Sequence, residues 1–428
     1  MSMMPRADDL GLGPAGLARR GAVAGVCVAL LAVGCGSAGP GSHGRSGTSA
    51  ASRGAAPQGG GQANPVAAAA ALARGHWSVL AASPLGRRQG PVVAWTGKEL
   101  LEIGGWEGNA APRGGAAFDP AGGRWRRIAP APVPVGALAA SAWTGSRLFV
   151  FGGQLPDKTT LGPAAGLYDP ASGRWAVTTA APFGQGLRQP AAVRAGRLVV
   201  VAGVAGSRVE VASYDPAAGR WRRQDPPLPA AHRALGIAMV AAGGRVIVWS
   251  LWGRMQQTGP GSFIGYSGVD VRALAGGRWR DVTGGWPQHQ VVPPPLFTGR
   301  QILVPPGQIW CGACSHPFGG LPGLLADPGT LRITRLPRGP LDDTGPVMVW
   351  TGAAALAINP GAQISGPGVN VRPGDMAAWD PAYGAWRRLP GAPGPLQDDT
   401  TPVWTGHELL AIASDGILLS FTPGGASA

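Results

Sequence analysis

The stretch Phe118-Asp119-Pro120-Ala121-Gly122-Gly123-Arg124-Trp125 returns several times along the chain, and this recurrence decides the fold. The aromatic-Asp-Pro triplet reappears as Tyr168-Asp169-Pro170, Tyr214-Asp215-Pro216 and Trp379-Asp380-Pro381. A Gly-Arg-Trp triplet reappears as Gly173-Arg174-Trp175, Gly219-Arg220-Trp221 and Gly277-Arg278-Trp279, and Trp386 ends a further unit. Because the units return about every fifty residues and consist of short apolar runs and glycine-rich turns, they predict a propeller-like array.

Each unit begins with an apolar strand that ends at a turn, most often Trp-Thr-Gly. The seven turns are Trp95-Thr96-Gly97, Trp143-Thr144-Gly145, Ala195-Gly196, Gly243-Gly244, Phe297-Thr298-Gly299, Trp350-Thr351-Gly352 and Trp404-Thr405-Gly406. A second apolar strand, a variable loop, the aromatic-Asp-Pro strand and the tryptophan strand follow, so each unit predicts four antiparallel strands.

The last unit lacks a tryptophan strand, and a spare one stands at the other end of the chain. This spare strand is His76-Trp77-Ser78-Val79-Leu80. We therefore expect an all-β fold, a seven-bladed β-propeller in which the N-terminal strand completes the C-terminal blade. Such closure removes the exposed strand edges at the join.

The second strands often stop at a glycine pair, as in Gly104-Gly105 and Gly152-Gly153. Together with the aromatic-Asp-Pro and Gly-x-Trp triplets, this pattern resembles the kelch family of β-propellers. The resemblance covers residues 76–423 and implies four-stranded blades around a central channel. It implies no single function, because one propeller fold hosts many unrelated roles.

The N-terminal segment predicts an export signal and a linker. Arg19-Arg20 precede the apolar run 21–34, which is shorter than the roughly 20 residues of a membrane-spanning helix and is typical of a secretory signal. The run ends Leu31-Ala32-Val33-Gly34-Cys35, which resembles a bacterial lipobox with Cys35 as the lipidated residue. An ordinary signal peptide with a chance cysteine is the alternative.

These features divide the chain into three parts. Residues 1–35 are a lipoprotein-type signal peptide, residues 36–75 are a disordered Gly/Ser/Ala/Pro linker, and residues 76–428 are the propeller. We expect an extracytoplasmic protein that is secreted or held at the cell membrane by a lipid anchor.

The net charge of +14 is carried almost entirely by arginine, because Lys98 and Lys158 are the only lysines. Either an anionic envelope polymer is a partner, or the arginines are spread over solvated strand edges. No nucleic-acid-binding motif is present, so no nucleic-acid partner is expected. The expected partner is an unidentified cell-envelope glycan or protein, and the expected state is a monomer.

Candidate ligand-binding residues lie in the loops that lead into each blade's first strand, here called the lead-in loops. In kelch-like propellers these loops share one face with the loops between the second and third strands. The polar residues of the lead-in loops are Arg87, Arg88, Arg188, His232, Arg233, His289, Asp342, Asp343, Asp398 and Asp399. They predict a channel mouth that is basic at blades 1, 3 and 4 and acidic at blades 6 and 7.

Such a mouth favours a sugar, a zwitterion or a divalent cation on the four aspartates, because hard cations prefer oxygen ligands. Loop bracing by Arg and His, with ordinary turn chemistry at the aspartates, is the alternative. No other cofactor is expected.

One loop carries two cysteines, in the string Trp310-Cys311-Gly312-Ala313-Cys314. A redox pair of this spacing needs a helix N-terminus to lower the thiol pKa, and a proline-rich propeller loop does not supply one. The string therefore predicts a disulfide between Cys311 and Cys314, in keeping with an oxidising compartment. A partial zinc site with His316 is the alternative, although a fourth ligand is not evident.

Two enzyme classes share this fold. Some kelch-like propellers resemble galactose oxidase, which implies copper held by tyrosine and histidine, but two of the four tyrosines here occupy the structural aromatic-Asp-Pro position. A sialic-acid-type mutarotase or epimerase is the nearer rival, and its proton transfers would fall to Asp343, Asp399, His232 or His289. We favour a non-catalytic propeller that binds a glycan, a small polar ligand or a protein at one face, with a sugar mutarotase or epimerase as the alternative.

Overall fold

The structure, a computed structural model, describes residues 70–155, 157, 164–184, 186–259, 262–287, 294–309, 318–341, 346–359, 372–396 and 402–425. Seven four-stranded antiparallel sheets follow one another as the blades of a ring. The predicted seven-bladed β-propeller is therefore confirmed.

The first strand, β1 (His76–Ala82), belongs to the last blade. Blade 1 contains β2 (Val92–Trp95), β3 (Leu100–Ile103), β4 (Gly115–Asp119) and β5 (Arg124–Ile128). Blade 2 contains β6 (Ala140–Trp143), β7 (Leu148–Phe151), β8 (Ala165–Asp169) and β9 (Arg174–Val177). Blade 3 contains β10 (Arg188–Ala195), β11 (Leu198–Ala205), β12 (Arg208–Asp215) and β13 (Arg220–Arg223). Blade 4 contains β14 (Arg233–Ala242), β15 (Arg245–Gly259), β16 (Ser262–Ala275) and β17 (Arg278–Asp281).

Blade 5 contains β18 (Leu296–Phe297), β19 (Ile302–Val304), β22 (Leu324–Ala326) and β23 (Ile333–Arg335), and its middle loop carries a separate hairpin of β20 (Gly307–Ile309) and β21 (Phe318–Leu321). Blade 6 contains β24 (Val347–Trp350), β25 (Ala355–Ile358), β26 (Met376–Asp380) and β27 (Ala385–Leu389). Blade 7 contains β28 (Val403–Trp404), β29 (Leu409–Ile412), β30 (Ile417–Thr422) and, as its outermost strand, β1.

The ring closes where the N-terminal strand joins the C-terminal blade. β1 pairs antiparallel with β30, with Trp77 opposite Phe421, which confirms the predicted closure. Ordered contacts begin a few residues before β1, because Leu72 is 3% exposed and belongs to the core cluster of blades 6 and 7 that also holds Leu356 and Phe421.

The repeated tryptophans join adjacent blades. Trp125 packs on Phe118 of its own blade with ring centroids 5.3 Å apart, and its Nε1 donates to the Ala81 carbonyl of the preceding blade at 2.9 Å. The same bond to the preceding blade is made by Trp77 to Pro390, Trp175 to Ala129, Trp221 to Thr179, Trp279 to Gln224 and Trp386 to Pro337. These side chains are wedges between blades, as the sequence predicted, and their half-buried rings are engaged in the scaffold.

The other repeated residues form turns on the face opposite the lead-in loops. Thr96 Oγ1 accepts from the Glu99 backbone N–H at 2.8 Å, while Gly97 takes a φ of 93° that favours glycine. Asp119 Oδ1 accepts from the Ala121 N–H at 3.1 Å, in the turn between the third and fourth strands. The repeat motifs are therefore structural, and the residues that differ between blades are the candidates for function.

Candidate functional site

Blade 4 differs from the other blades by a long hairpin on the lead-in face. In blade 1 the second strand ends at Ile103, whereas β15 continues past the matching residue, Trp249, as far as Gly259. The pairing with β16 runs from Val246 opposite Leu274 to Gly259 opposite Ser262. Ten residues at a strand's rise would project roughly 30 Å beyond the blade. The variable loop that the sequence predicts after each second strand is thus, in blade 4, largely β-structure.

His232 lies at the base of this hairpin and is held there on two sides. Its Nδ1 lies 2.8 Å from Asp270 Oδ2, and its ring stacks on Trp252 with centroids 3.8 Å apart and planes 12° from parallel. The Asp270 side chain is 7% exposed and that of His232 is 23% exposed. Because a carboxylate only accepts, Nδ1 carries a hydrogen and donates it, so in the neutral ring the lone pair is on Nε2.

The sequence of the hairpin explains why the indole can lie under the imidazole. Trp252 is opposite Gly268, and a Cβ built on Gly268 would lie 2.5 Å from the indole ring. Glycine at this position therefore leaves the space that the ring occupies. Asp270 follows two residues later on the same side of β16, where it reaches Nδ1 of His232.

Blade 3 contributes a strained glutamine beside this site. Gln189 has a φ of 47°, in the left-handed region that residues other than glycine seldom adopt. Its buried Oε1 has no hydrogen-bond partner among the described residues, and it lies 2.7 Å from a Cβ built on Gly236 of blade 4. The buried Nε1 of Trp252 likewise lacks a partner among them. Strained backbone and unsatisfied polar atoms are features that collect at functional sites.

Two further predicted residues lie at the same mouth. Arg188 Nη2 donates to the Gly206 carbonyl at 3.2 Å, and the Ala234 N–H donates to the carbonyl of Ser207 at 2.9 Å. The turn of blade 3 thus joins the lead-in strands of blades 3 and 4. Arg188 and Arg233 are both exposed. Arg188 and Arg233 are thus connected through the turn that follows β11, and His232 directly precedes Arg233; a ligand-binding role for the three residues stays a prediction.

Arg87 and Arg88 lie elsewhere, at the seam between blades 7 and 1. Arg87 is exposed, but Arg88 is 6% exposed. Its Nε donates to the Leu85 carbonyl at 3.2 Å, and its Nη2 lies 3.3 Å from Glu107 Oε2. Arg88 therefore braces the seam, and Arg87 is the arginine of this loop that faces solvent.

A buried carboxyl accompanies Arg88. Glu102, on β3, is fully buried, and Ser83 Oγ donates to its Oε2 at 2.5 Å. Burial raises the pKa of Glu102 to about 7, while the bond from Ser83 and the charge of Arg88 act in the opposite direction. Oε1 of Glu102 and Nη1 of Arg88 are buried without a partner among the described residues.

Several predicted site residues fall outside the described part of the chain. They are His289, Asp342, Asp343, Asp398 and Asp399 at the mouth, Cys35 in the N-terminal segment, and Cys311 and Cys314 in the loop of blade 5. The acidic side of the mouth, the lipid anchor and the disulfide therefore stay predictions.

Asp270 of this site was not predicted from the sequence, whereas Gln189 follows Arg188 in a polar lead-in loop and Trp252 begins the long segment between the second and third strands of blade 4. A signal for Asp270 was present, because it stands between the apolar residues Val269 and Val271. A carboxyl at such a position must find a buried partner, and a histidine is a suitable one.

No protein-family profile matches the chain, and no curated protein matches it. Among solved structures, a novel fungal alcohol oxidase of the AA5 family in complex with copper aligns with a TM-score of 0.54 and 12% identity, over 82% of this chain and 76% of that chain. The structure of YjhT aligns with a TM-score of 0.46 and 16% identity, over 60% of this chain and 87% of that chain. At these identities the likeness concerns the fold alone. The likeness to the oxidase agrees with the seven-bladed β-propeller described above.

The copper of that oxidase raises the question of a metal in this chain. Tyr168 and Tyr214 are buried within the ring, and Tyr383 lies in a turn on the face away from the lead-in loops. In the described ranges, no group of three or more His, Cys, Asp or Glu side chains is arranged to hold a metal ion. No described helix has the length and apolar character needed to cross a membrane.

Proposed function

We propose that this protein binds a polar, hydroxyl-rich ligand, such as a glycan, at the lead-in face of blades 3 and 4. The observation that carries the proposal is His232, whose Nδ1 is held by the buried Asp270 while its Nε2 has no partner among the described residues. Fixing one ring nitrogen orients the other as a hydrogen-bond acceptor for a ligand.

The neighbouring groups suit sugar hydroxyls, which both donate and accept hydrogen bonds. Gln189 Oε1 and Trp252 Nε1 are polar atoms without partners among the residues described, but both are buried, so direct contacts to a sugar fall to the more exposed groups. Arg188 and Arg233 add exposed donors. Leu235, which is 49% exposed beside them, offers an apolar surface for sugar C–H groups. A few convergent polar groups next to apolar surface are typical of small-ligand sites.

A glycan array tests this proposal. Labelled wild-type protein is expected to bind a restricted set of glycans, and His232→Gln should weaken that binding about tenfold or more. His407→Gln is the matched control, because His407 is an exposed histidine in a turn on the opposite face. Equal binding by wild type and His232→Gln would refute the proposed site, and a folded wild type that binds no glycan would refute the ligand class.

A second candidate, a sugar mutarotase or epimerase, is favoured by the same pair of side chains. An imidazole oriented by a buried carboxylate is suited to act as a general base through its free nitrogen. Such a reaction also needs an acid on the other side of the sugar, and His289, Asp343 and Asp399 are the predicted donors. Proton-exchange measurements by NMR on the free sugars that the array identifies would separate the two. Turnover that His232→Gln abolishes supports the enzyme, and binding without turnover supports the binder.

We also propose that the propeller is held at the cell envelope through Cys35. The lipobox-like string 31–35 and the Gly/Ser-rich segment after it support this proposal. Cys35→Ser should move the protein from the membrane fraction to the medium, with Cys27→Ser as the control. Unchanged membrane association of Cys35→Ser would rule out the anchor.

A further inference from the structure

Blades 3 and 4 carry far more positive than negative charge. Between Arg188 and Asp281 the chain has thirteen arginines, no lysine and five carboxylates. Charge of one sign concentrated in two adjacent blades creates a field that neighbouring acids would normally reduce. The question is therefore which of these arginines the acids neutralise.

All five carboxylates already have partners. Asp215 pairs with Arg197 at 3.2 Å, Asp270 with His232 at 2.8 Å and Asp281 with Arg272 at 2.8 Å. Glu210 and Asp225 both pair with Arg223, at 2.6 and 2.5 Å. No carboxylate of these two blades is left for the remaining arginines.

Four of the remaining arginines lie on the outermost strands. Arg220 and Arg222 on β13, and Arg278 and Arg280 on β17, are exposed and have no acidic partner among the described residues. Alternation along each strand places the two arginines of that strand on one side and its tryptophan on the other. These four residues are called the arginine edge below.

The arginine edge is continuous across the two blades. Nη1 of Arg222 lies 3.6 Å from a Cβ built on Gly277, which directly precedes Arg278. The side chain of Arg222 therefore reaches from blade 3 to the turn that begins the outer strand of blade 4. Protection of an edge strand against pairing explains isolated charges of either sign. It does not explain four arginines on one side of two neighbouring strands, whose one acid, Asp281, alternates to the side of the tryptophan and pairs with Arg272.

We propose that the arginine edge is a docking surface for a flexible linear polymer of phosphate groups that carries no nucleobases. The planar guanidinium group matches phosphate oxygens with two parallel hydrogen bonds, so a row of arginines suits a row of phosphates. Proteins that bind single-stranded nucleic acid add exposed aromatic rings on which bases stack. Here both indoles of the edge are turned inward, since Trp221 donates to Thr179 O and Trp279 to Gln224 O. Because neither ring of the edge is free to stack, a polymer without bases is favoured.

A salt titration with long-chain inorganic polyphosphate tests the proposal. Binding of labelled protein is measured for the wild type and for the quadruple variant Arg220→Gln, Arg222→Gln, Arg278→Gln, Arg280→Gln. Removing one phosphate-binding arginine should reduce the slope of log K against log[salt] by roughly 0.7, so the variant should have a slope smaller by about three units. A second quadruple variant, Arg332→Gln, Arg335→Gln, Arg387→Gln, Arg388→Gln, removes the same charge from blades 5 and 6 and should keep most of the slope.

An equal reduction of the slope in the two variants, or no binding by the wild type, would overturn the proposal. Single-stranded oligothymidine serves as the competing polymer. If it binds the arginine edge more tightly than polyphosphate does, the occupant is a nucleic acid and the proposal fails. Circular dichroism melts of both variants establish that they are folded, which is expected because all the substituted side chains are exposed.

Discussion

Blades 1 and 4 each bury a carboxyl group close to the lead-in face, and the two groups are used differently. Glu102 in blade 1 is sealed at the seam with Ser83 and Arg88. Asp270 in blade 4 holds a half-buried histidine whose other nitrogen has no partner among the described residues. A buried carboxyl therefore indicates a ligand site only when its partner can in turn reach a ligand.

Comparison with the other blades shows how unusual Glu102 is. The matching position of the second strand holds Val150, Val201, Val248, Val304, Ala357 and Ala411, all of which are buried. An ionisable group in place of a small aliphatic one reduces stability unless its charge is compensated. Glu102 thus makes the stability of this seam depend on pH, and the other six blades have no ionisable residue at the matching position.

The largest expected effect is on the pH dependence of folding. Because the pKa of folded Glu102 is raised from 4.5 to about 7, the folded state holds a proton that the unfolded state releases. Stability should therefore fall as the pH rises through this window, by about 3 kcal/mol in total, and then level off. Urea unfolding at about pH 5 and about pH 8 should show this loss in the wild type and not in Glu102→Gln. An unchanged pH profile in the variant would contradict the assignment.

A slightly smaller loss of stability is expected when the tryptophan wedge at the same seam, between blades 7 and 1, is removed. Trp125→Ala removes a half-buried ring and its bond to Ala81. The cost should be roughly 2–3 kcal/mol, below that of a fully buried tryptophan. Trp279 is the equivalent wedge between blades 3 and 4. If the closing seam between blades 7 and 1 is as strong as the junction of blades 3 and 4, Trp279→Ala should lower the free energy of unfolding by about as much as Trp125→Ala. Thermal unfolding of the two variants measures the difference. A Trp125→Ala protein as stable as the wild type would show that the ring does not depend on this wedge.

At blade 4 the effect should appear in ligand binding and not in stability. Asp270→Asn keeps an acceptor for Nδ1 of His232 but removes the charge, which should weaken glycan binding about tenfold. Asp281→Asn is the control, since Asp281 is an exposed carboxylate of the same blade that pairs with the buried Arg272. Equal binding by these two variants would remove Asp270 from the site.

The smallest expected effect concerns the strained Gln189. Gln189→Gly should relieve the left-handed backbone and raise stability by about 0.5–1 kcal/mol, while it weakens glycan binding several-fold. Both quantities can be measured on one preparation, by urea unfolding and by titration with the glycan. A variant that is more stable and binds as well as the wild type would show that the strain serves no ligand.

The repeat made the fold predictable, because the turn residues and the tryptophan wedges recur at the same positions in most blades and act through short-range contacts. The closing role of Trp77 followed from counting strands. The site was predictable only in part: His232 stood out as a polar residue of a lead-in loop, but its partner Asp270 lies 38 residues away on β16. Arg88 was predicted to face a ligand, and only the packing of the seam shows that it is buried. Contacts between blades depend on three-dimensional packing, which sequence spacing does not contain.

The ligand of this propeller is proposed to lie over blades 3 and 4, with His232 at the centre of its site. A crystal structure of the protein with the glycan that binds most strongly on the array would show where the ligand lies. We expect a sugar hydroxyl within about 3.2 Å of His232 Nε2. A glycan bound at the turns of the opposite face, or at the seam beside Arg87, would contradict the proposed site.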